Sequence, residues 1–258
     1  MKQFILTLVL LLLFSFSAHA HQQEYFDPGF DFTKPKKIII AMYHPENFSD
    51  IALGEMRDIF FSVAKEKIYD KLSGNHKIIS MQVVRDIEVP KANNMTEDEW
   101  ENLVKTNNGK AWELLTKHIR DNYDLIVTAV PIIYDIGTQY CEGYIYTMPS
   151  LNTSTIMFPN GQMASVTTNG QTVHSIPGGN FPTVYVSVRF DVALAKTSFS
   201  PDNKVVWARI DDRARVNRDA LQNTKPKDVF KRIVNSFSED FVKTITTRKG
   251  SKTNSVPF

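Results

Sequence analysis

The stretch TVYVSVRFDVALA, residues 183–195, decides the fold, because apolar and polar side chains alternate along it with a period of two. Successive side chains of a strand point to opposite faces, so the alternation predicts a strand with one face on the core. The inward-facing residues of this strand are predicted to be Val184, Val186, Val188, Phe190, Val192 and Leu194. The pattern resumes over 205–215, where Val206, Ala208 and Ile210 share one face. Two such strands joined by a turn predict an antiparallel hairpin.

The turn Ser200–Asn203 predicts a register for this hairpin. Its proline fixes φ at the second turn position and its asparagine tolerates positive φ, which is typical of a three-residue loop with a bulge. Pairing Ser200 with Lys204 then places Asp191 opposite Arg213. Such a cross-strand ion pair contributes about 0.2–1 kcal/mol.

Toward the N-terminus, the chain alternates apolar runs with amphipathic periodicity. Residues 38–43 form a continuous apolar run of the kind that is buried on both faces of a parallel sheet. A helix with one apolar stripe is predicted to begin at about Asp50. A second strand is predicted over 77–84, which gives the order strand, helix, strand.

The remaining elements complete the prediction of an α/β fold. A capping box, Thr96–Glu99, opens further helical periodicity, which Asn107 is expected to break into two pieces. A buried strand follows over 123–130, where Pro131 closes the ladder, and Pro226 opens the last helix. We therefore predict a two-layer or three-layer α/β sandwich with a mixed sheet, parallel strands inside and an antiparallel hairpin toward one edge.

The ends of the chain predict an exported protein. Residues 1–20 combine a basic start, an apolar run and the small-residue site Ala18-His-Ala20, which is typical of a cleavable signal peptide. The run is shorter than the ~20 residues of a membrane span, so a transmembrane anchor is the less favoured alternative. No cysteine lies near Ala20, so no lipid anchor is expected. The prediction is a periplasmic or secreted protein with an extended lead-in (21–36), one domain (37–246) carrying a β-rich insertion (142–182), and a flexible polar tail (247–258).

Composition excludes several classes of function. The chain has 30 Lys and Arg against 28 Asp and Glu, so it lacks the positive charge that is typical of nucleic-acid binders. Its single cysteine, Cys141, forbids an internal disulfide, which suits a bacterial envelope protein better than an animal secretory one. Glycine-rich phosphate loops, nucleotide fingerprints and histidine pairs at metal-ligand spacing are missing from the sequence. We therefore expect neither a cofactor nor a metal.

A hydrolase or small-ligand-binding enzyme is the alternative function. A cysteine nucleophile needs an imidazole nearby, and the chain offers Cys141 with His174. Asn180 or Asp135 would orient the ring. A lone cysteine, however, is more often a small buried hydrophobe. His44 directly follows the first buried strand, where ligands bind in open α/β sheets, although a simple turn also explains it.

The polar face of the predicted hairpin is a candidate partner-binding surface. It is dense in charge, and a solvated face with ion pairs is the simplest interpretation. The alternative is a docking surface for an acidic partner, with the tryptophan as its anchor. The residues assigned to this face are Tyr185, Trp207, Arg209, Arg213 and Arg215.

The insertion over 142–182 is the second candidate surface, because it is far longer than an ordinary connection. Asn160-Gly161 and Asn169-Gly170 each predict a tight hairpin turn. With few charges and many β-forming residues, among them Phe158 and Met163, the insertion is expected to pair with something. The partner is either the chain's own domain, a second copy or another protein.

Short motifs resemble a diffuse group of bacterial envelope proteins. The stretch Phe30-Asp-Phe-Thr-Lys-Pro-Lys-Lys-Ile-Ile-Ile40 is similar to the strand entry of small uncharacterised outer-membrane-associated lipoproteins, and Val188–Ala195 with Val205–Ala208 is similar to their hairpin. The same architecture occurs in the N-terminal domain of the Tol-system translocation protein and in curli-secretion-type lipoproteins. The resemblance implies a non-enzymatic protein that binds envelope components or itself. It brings no catalytic residues to this chain, which lacks the lipid-bearing cysteine of those lipoproteins.

Overall fold

The chain folds around one six-stranded mixed sheet, as the sequence predicted. The computed structural model describes residues 20–43, 45–74, 77–80, 84–157, 163–176, 178–217 and 223–250. The strands of this sheet lie in the order β1-β8-β7-β4-β2-β3. Their bounds are Ala20–Phe26 (β1), Lys37–Met42 (β2), Ile78–Ser80 (β3), Leu125–Cys141 (β4), Gly179–Leu194 (β7) and Val205–Val216 (β8). Two further strands, β5 (Tyr144–Met157) and β6 (Met163–Ile176), form a separate antiparallel sheet.

The direction of each strand follows from its connection. Helical crossovers join β2 to β3 and β3 to β4, and β2 is parallel to both neighbours. β4 to β7, β7 to β8 and β1 to β8 are antiparallel pairs. The fold is therefore α/β with parallel strands at one side of the sheet and antiparallel strands at the other.

The helices begin and end near the predicted signals. α1 (Asp50–Ala64) continues through a π-helical turn, Lys65–Tyr69, and a last turn, Asp70–Ser73. A second π-helical turn, Val84–Glu88, leads into the short α2 (Val89–Ala92), and α3 (Glu97–Thr106), α4 (Asn108–Asn122) and α5 (Pro226–Thr247) follow. Thr96 and Glu99 form the predicted capping box, and Asn107 separates α3 from α4 while its side chain caps α4. Pro226 lies in the first turn of α5, where its missing amide needs no partner.

Both faces of the sheet carry an apolar core, so the helical part of the molecule has three layers. One core packs α1 and α5 against the face that holds Phe190 and Trp207. The other packs α3 and α4 against Ile39 and Ile126. The inward-facing residues predicted for β7 from Val184 to Val192 all lie in the first core.

The predicted hairpin register is wrong. Asp191 lies opposite Ala208, and Arg213 lies opposite Val186. β7 ends in a 3-10 turn, Ala195–Thr197, so the connection to β8 is longer than a three-residue loop. The side chain of Thr197 accepts a hydrogen bond from the Lys204 amide at 3.1 Å, which holds this longer connection.

Pro131 does not end β4, contrary to the prediction. The strand continues to Cys141, and the register against β7 shifts between Pro131 and Ile133. A bulge absorbs a residue that cannot donate to the ladder, so the strand bends and goes on. The predicted turn at Asn169-Gly170 is also wrong, because both residues lie inside β6, opposite Leu151 and Ser150. Asn160-Gly161 lies outside the described residues, in the connection between β5 and β6.

The segments that flank the domain are more ordered than predicted. The lead-in begins as β1, an edge strand paired with β8 from Ala20 to Phe26. Arg248, assigned to the flexible tail, accepts a hydrogen bond from the Phe32 amide through its carbonyl, and its guanidinium stacks 3.6 Å above the Phe26 ring. The predicted signal peptide up to residue 19 and the tail beyond 250 lie outside the described residues.

Candidate functional site

The most distinctive surface is a long extension of the sheet, residues 132–182, which we call the arm. It begins in β4 at the bulge between Pro131 and Ile133 and continues into β5 and β6. β5 and β6 are each 14 residues long, and the pairings of the described residues join them only to each other. At ~3.3 Å per residue, each spans about 45 Å. A two-stranded ribbon of this kind is marginally stable in water unless something packs against it.

One edge of the arm is open along β4. On that side β4 pairs with β2, whose last partner in the ladder is Ala129. Beyond that point β4 keeps only β7 as a neighbour among the described strands. Backbone amide and carbonyl groups along such an edge are a template for another strand.

Exposed apolar side chains follow this open edge. Ile133 is 46% exposed, Ile136 55%, Tyr140 66% and Ile145 72%. Ile136 and Tyr140 lie on one face of the strand and Ile133 on the other, because successive side chains alternate, so apolar side chains are exposed on both faces beside the open edge. The same edge carries one charged side chain, Asp135, whose Oδ1 accepts a hydrogen bond from the next amide at 2.7 Å.

The sequence of the arm is poor in the charged residues that normally protect an edge. No Asp, Glu, Lys or Arg lies between Glu142 and Arg189, although such residues make up 22% of the chain. Natural edge strands resist pairing mainly through charged side chains, above all lysine. The scarcity of charge in the insertion therefore favours pairing with another strand.

Tyr134 ties the base of the arm to α1. Its hydroxyl donates a short hydrogen bond to the Glu55 carboxylate, and Lys227 of α5 lies 3.5 Å from the same carboxylate. Burial raises the pKa of Tyr134 well above its ordinary value, and the hydrogen bond and negative charge of Glu55 raise it further. The Tyr134 ring also packs edge-on against Phe230. The arm is thus anchored on the helical layer at its base.

The structure does not bring the predicted catalytic residues together. Cys141 is a buried free thiol at the end of β4, opposite Gly179. His174 pairs with Tyr146, five residues further along the ribbon, and this separation corresponds to roughly 15 Å. Asp135 lies six residues back along β4, about 20 Å from the cysteine. These distances are too long for the hydrogen bonds that a cysteine nucleophile needs, so the structure does not support the cysteine nucleophile hypothesis. Asn180, the other proposed partner of the ring, pairs with Tyr140 next to the cysteine and not with the histidine.

His44 lies outside the described residues, which reach its neighbour Tyr43. The Tyr43 amide donates to the carbonyl of Ala129 at 2.8 Å. Ala129 and Cys141 are twelve residues apart on one strand, which corresponds to about 40 Å. Tyr43 and Cys141 therefore lie far apart in the fold.

The part of the predicted docking face of β8 that holds Trp207 and Arg209 lies inside the protein. Trp207 is fully buried, and its ring stacks with Phe26 at 4.9 Å and with Phe241 at 5.9 Å between centroids. Arg209 is 1% exposed. The prediction of an exposed face is wrong at Trp207 and Arg209, because the aromatic stripe of α5 covers them.

The buried polar groups of Arg209 and Trp207 have partners on α5, β8 and β1. The Arg209 guanidinium donates to Asp211 at 2.7 Å, to Asp240 at 2.6 Å and to Ser236 at 2.9 Å. The Trp207 indole donates to Glu24 of β1 at 3.0 Å. A buried charge is tolerated when it is paired in this way. Arg209 is therefore part of the β8–α5 interface.

The other predicted partner-binding residues have different surroundings. Tyr185 is half-buried on β7, opposite Asp135 and Ala214. Arg213 and Arg215 are half-buried near the C-terminal end of β8. Phe158 lies outside the described residues. Met163 is the first residue of β6, opposite Met157, and it places one member of the set on the arm.

A polar cluster beside β3 was missed from the sequence. The Glu88 carboxylate accepts hydrogen bonds from Tyr123 at 2.6 Å and from Ser80 at 3.4 Å, and the His118 ring lies 3.3 Å away. Burial raises the pKa of Tyr123 above its ordinary range, and the hydrogen bond to Glu88 adds to this effect. These residues are far apart in sequence, and no local pattern joins them. Tyr123 lies against an open groove of about 800 Å³ lined by mixed charges, including Lys34, Arg120 and Asp124.

The described residues also give two general findings. None of their His, Cys, Asp and Glu side chains form a group of three or more that could hold a metal ion. No helix among them has both the length and the apolar character that crossing a membrane requires.

No protein-family model matches this chain, and no curated protein matches it either. Among solved structures, a PelC dodecamer from Paraburkholderia phytofirmans is 9% identical, with 89% of this chain and 99% of that chain covered and a TM-score of 0.34. A variant of that dodecamer in a second crystal form is 8% identical, with 86% and 98% covered and a TM-score of 0.35. The Evf virulence factor is 8% identical, with 84% of each chain covered and a TM-score of 0.13. TM-scores this low carry no conclusion about this chain.

Proposed function

We propose that this protein is a non-enzymatic assembly module of the bacterial envelope, in which the arm of one copy pairs with the arm of a second copy. The observation that carries the proposal is the open edge of β4 beyond Ala129, with Ile133, Ile136 and Tyr140 exposed along it. The helical domain holds the base of this edge rigidly, through Tyr134 and Glu55.

Edge-to-edge pairing accounts for the physical properties of the arm. A second strand would hydrogen-bond the free amide and carbonyl groups of β4, and it would cover apolar side chains that now face solvent. It would also give the narrow β5–β6 ribbon the additional strands that a sheet needs for independent stability. A second copy brings the same edge, whose one charged side chain is Asp135, so little charge opposes the pairing.

The envelope location rests on the sequence. The predicted signal peptide over residues 1–20 and the resemblance to envelope lipoproteins both favour export. The N-terminal sequence of the protein purified from its own host tests this part. We expect the chain to start at His21, whereas a chain that retains residues 1–20 would contradict export with cleavage.

The test of self-association is a pair of matched lysine substitutions. Ile136→Lys places a charge on the open edge, and Ile51→Lys makes the same change at an isoleucine that is 87% exposed on α1. Light scattering should give an oligomeric mass for the wild type and for Ile51→Lys, and a mass shifted toward the monomer for Ile136→Lys.

Two results would contradict the proposal. A monomeric wild type would rule out assembly through the arm and would leave another envelope protein as the partner. An oligomer that both variants retain would place the contact elsewhere. Circular dichroism spectra should match in all three proteins, since both isoleucines are exposed.

A further inference from the structure

The buried Nε of Arg213 lacks a hydrogen-bond partner among the residues that the structure describes. The side chain as a whole is 19% exposed, and Nη2 lies 3.9 Å from Asp211 Oδ1, which is longer than a hydrogen bond. Leaving a buried donor unsatisfied costs about 1–3 kcal/mol, more for a charged group. The site therefore favours an acceptor.

Positive charge dominates the surroundings of Arg213. The charged groups that act on it are one carboxylate, Asp211, and the guanidiniums of Arg209, Arg215 and Arg232. Burial lowers the pKa of Arg213, Asp211 opposes this effect, and the three guanidiniums add to it.

The one carboxylate in this set already has a partner. Asp211 Oδ2 accepts the Arg209 Nε hydrogen bond at 2.7 Å, and both side chains are almost completely buried. None of the ion pairs among the described residues involves Arg215 or Arg232. Within the part of the chain that the structure describes, the guanidiniums of Arg213, Arg215 and Arg232 thus lack a hydrogen-bonded anion.

Two elements bring these guanidiniums to one place. Arg213 and Arg215 are two residues apart on β8, so they share the face that packs against α5. α5 runs antiparallel to β8, since Trp207 packs on Phe241 and Arg209 binds Ser236. Arg232 lies one helical turn before Ser236, next to the part of β8 that holds Arg213.

We propose that Arg213, Arg215 and Arg232 bind a phosphate group at the solvent-facing end of the β8–α5 interface. Guanidiniums bind phosphate with paired N–H donors, and three of them match a group that has several acceptor oxygens. A carboxylate, with two oxygens, would satisfy fewer of these donors. The group is either free phosphate or the phosphate of a lipid headgroup.

Thermal unfolding in phosphate tests the site. The wild-type protein is compared in sodium phosphate and in sodium chloride of equal ionic strength, so that general screening cancels. At phosphate about ten times above its dissociation constant, the Tm should rise by about 3–5 °C. Arg213→Gln, Arg215→Gln and Arg232→Gln should each lose most of this rise.

Arg189→Gln is the matched control, because it removes the same charge from the other face of the sheet, where Arg189 pairs with Asp191 at 2.9 Å. It should keep the full rise in phosphate. If Arg213→Gln fails to fold, Arg232→Gln still tests the phosphate site, since Arg232 is exposed on α5 and its replacement should not disturb the core. No phosphate-specific rise in the wild type, or an equal rise in all variants, would overturn the proposal.

Vesicle sedimentation separates the two sources of the phosphate group. The probes are phosphatidylcholine vesicles with and without phosphatidic acid, the monoester headgroup that most resembles inorganic phosphate. Binding that needs phosphatidic acid and is lost in Arg232→Gln identifies a headgroup site. A phosphate-specific Tm rise without vesicle binding identifies a free phosphate site.

Discussion

The inner and outer halves of strand β4 carry similar apolar residues in opposite surroundings. The inner half lies between β2 and β7 and under helices on both faces, and Leu125 and Val127 are completely buried there. The outer half keeps one neighbouring strand, and Ile133 and Ile136 are about half exposed. The same residue types are therefore buried in one half and exposed in the other. Their burial depends on which strands and helices pack against them.

Charged side chains are present in the interior of the protein and scarce in the exposed arm, whereas charges normally lie on the surface. The interior holds a paired ion network around Arg209, whereas the segment from Gly143 to Val188 contains no Asp, Glu, Lys or Arg. Buried charges with complete partners fix the β8–α5 contact, and an uncharged edge leaves the arm free to pair. The comparison predicts that substitutions in the two regions change different properties.

Trp207→Ala should have the largest effect on stability. It removes the centre of the aromatic cluster of Phe26, Phe237 and Phe241, and the free energy of unfolding should fall by about 3–5 kcal/mol. Trp112→Ala is the control, because Trp112 is 52% exposed, and it should cost roughly 1 kcal/mol or less. Urea-induced unfolding measures both. Equal losses would mean that Trp207 is not the buried centre of the core.

Asp211→Asn should come next. It leaves the Arg209 guanidinium buried without one of its two carboxylates, and it should lower the free energy of unfolding by about 3 kcal/mol. Glu101→Gln breaks the exposed ion pair with Lys105 on α3 and should cost about 0.5 kcal/mol or less. Chemical denaturation of the two variants compares a buried with an exposed carboxylate. A negligible cost at Asp211 would contradict the buried network.

Tyr134→Phe tests the junction between the two regions and should cost about 1 kcal/mol, since the Glu55 hydrogen bond is lost. The folded pKa of Tyr134 lies above its unfolded value near 10, so its contribution is complete below about pH 10 and is lost as pH rises through the folded pKa. Stability measured from pH 8 to 11 should fall more steeply for the wild type than for Tyr134→Phe. Tyr140→Phe, at a tyrosine that is 66% exposed, should keep the wild-type profile.

Shortening the arm should have the smallest effect on the stability of the domain. Cys141 and Gly179 are paired, so Asn-Gly can replace residues 142–178 as a two-residue hairpin turn. The Tm of the domain, followed by circular dichroism, should change by no more than about 2 °C. A shortened chain that no longer folds would show that the arm is part of the core.

Local sequence signals predicted the elements whose causes are local. The capping box at Thr96, the break at Asn107 and the start of α5 at Pro226 depend on side chains within a few residues, and all three are confirmed. The inward face of β7 was also predictable, because every second residue is apolar.

The failures have a different physical cause, since they depend on distant segments. Alternation along β8 assigned Trp207 and Arg209 to the outer face, but α5 supplies aromatic rings and the Asp240 carboxylate that make their burial favourable. The bulge at Pro131 depends on β7, and no local pattern reveals it. The scarcity of charge in the insertion was evident from the sequence, whereas the open edge of β4 depends on β2 ending at Met42, opposite Ala129.

Hydrogen exchange of the full-length protein at several protein concentrations tests the central claim most directly. Backbone amides of Ile132–Cys141 include those that face the open edge, and pairing with a second copy would protect them. We expect their exchange to slow as protein concentration rises, while amides of Ile38–Met42 in the core exchange at the same slow rate throughout. Exchange of the β4 edge that is fast at every concentration would contradict assembly through the arm.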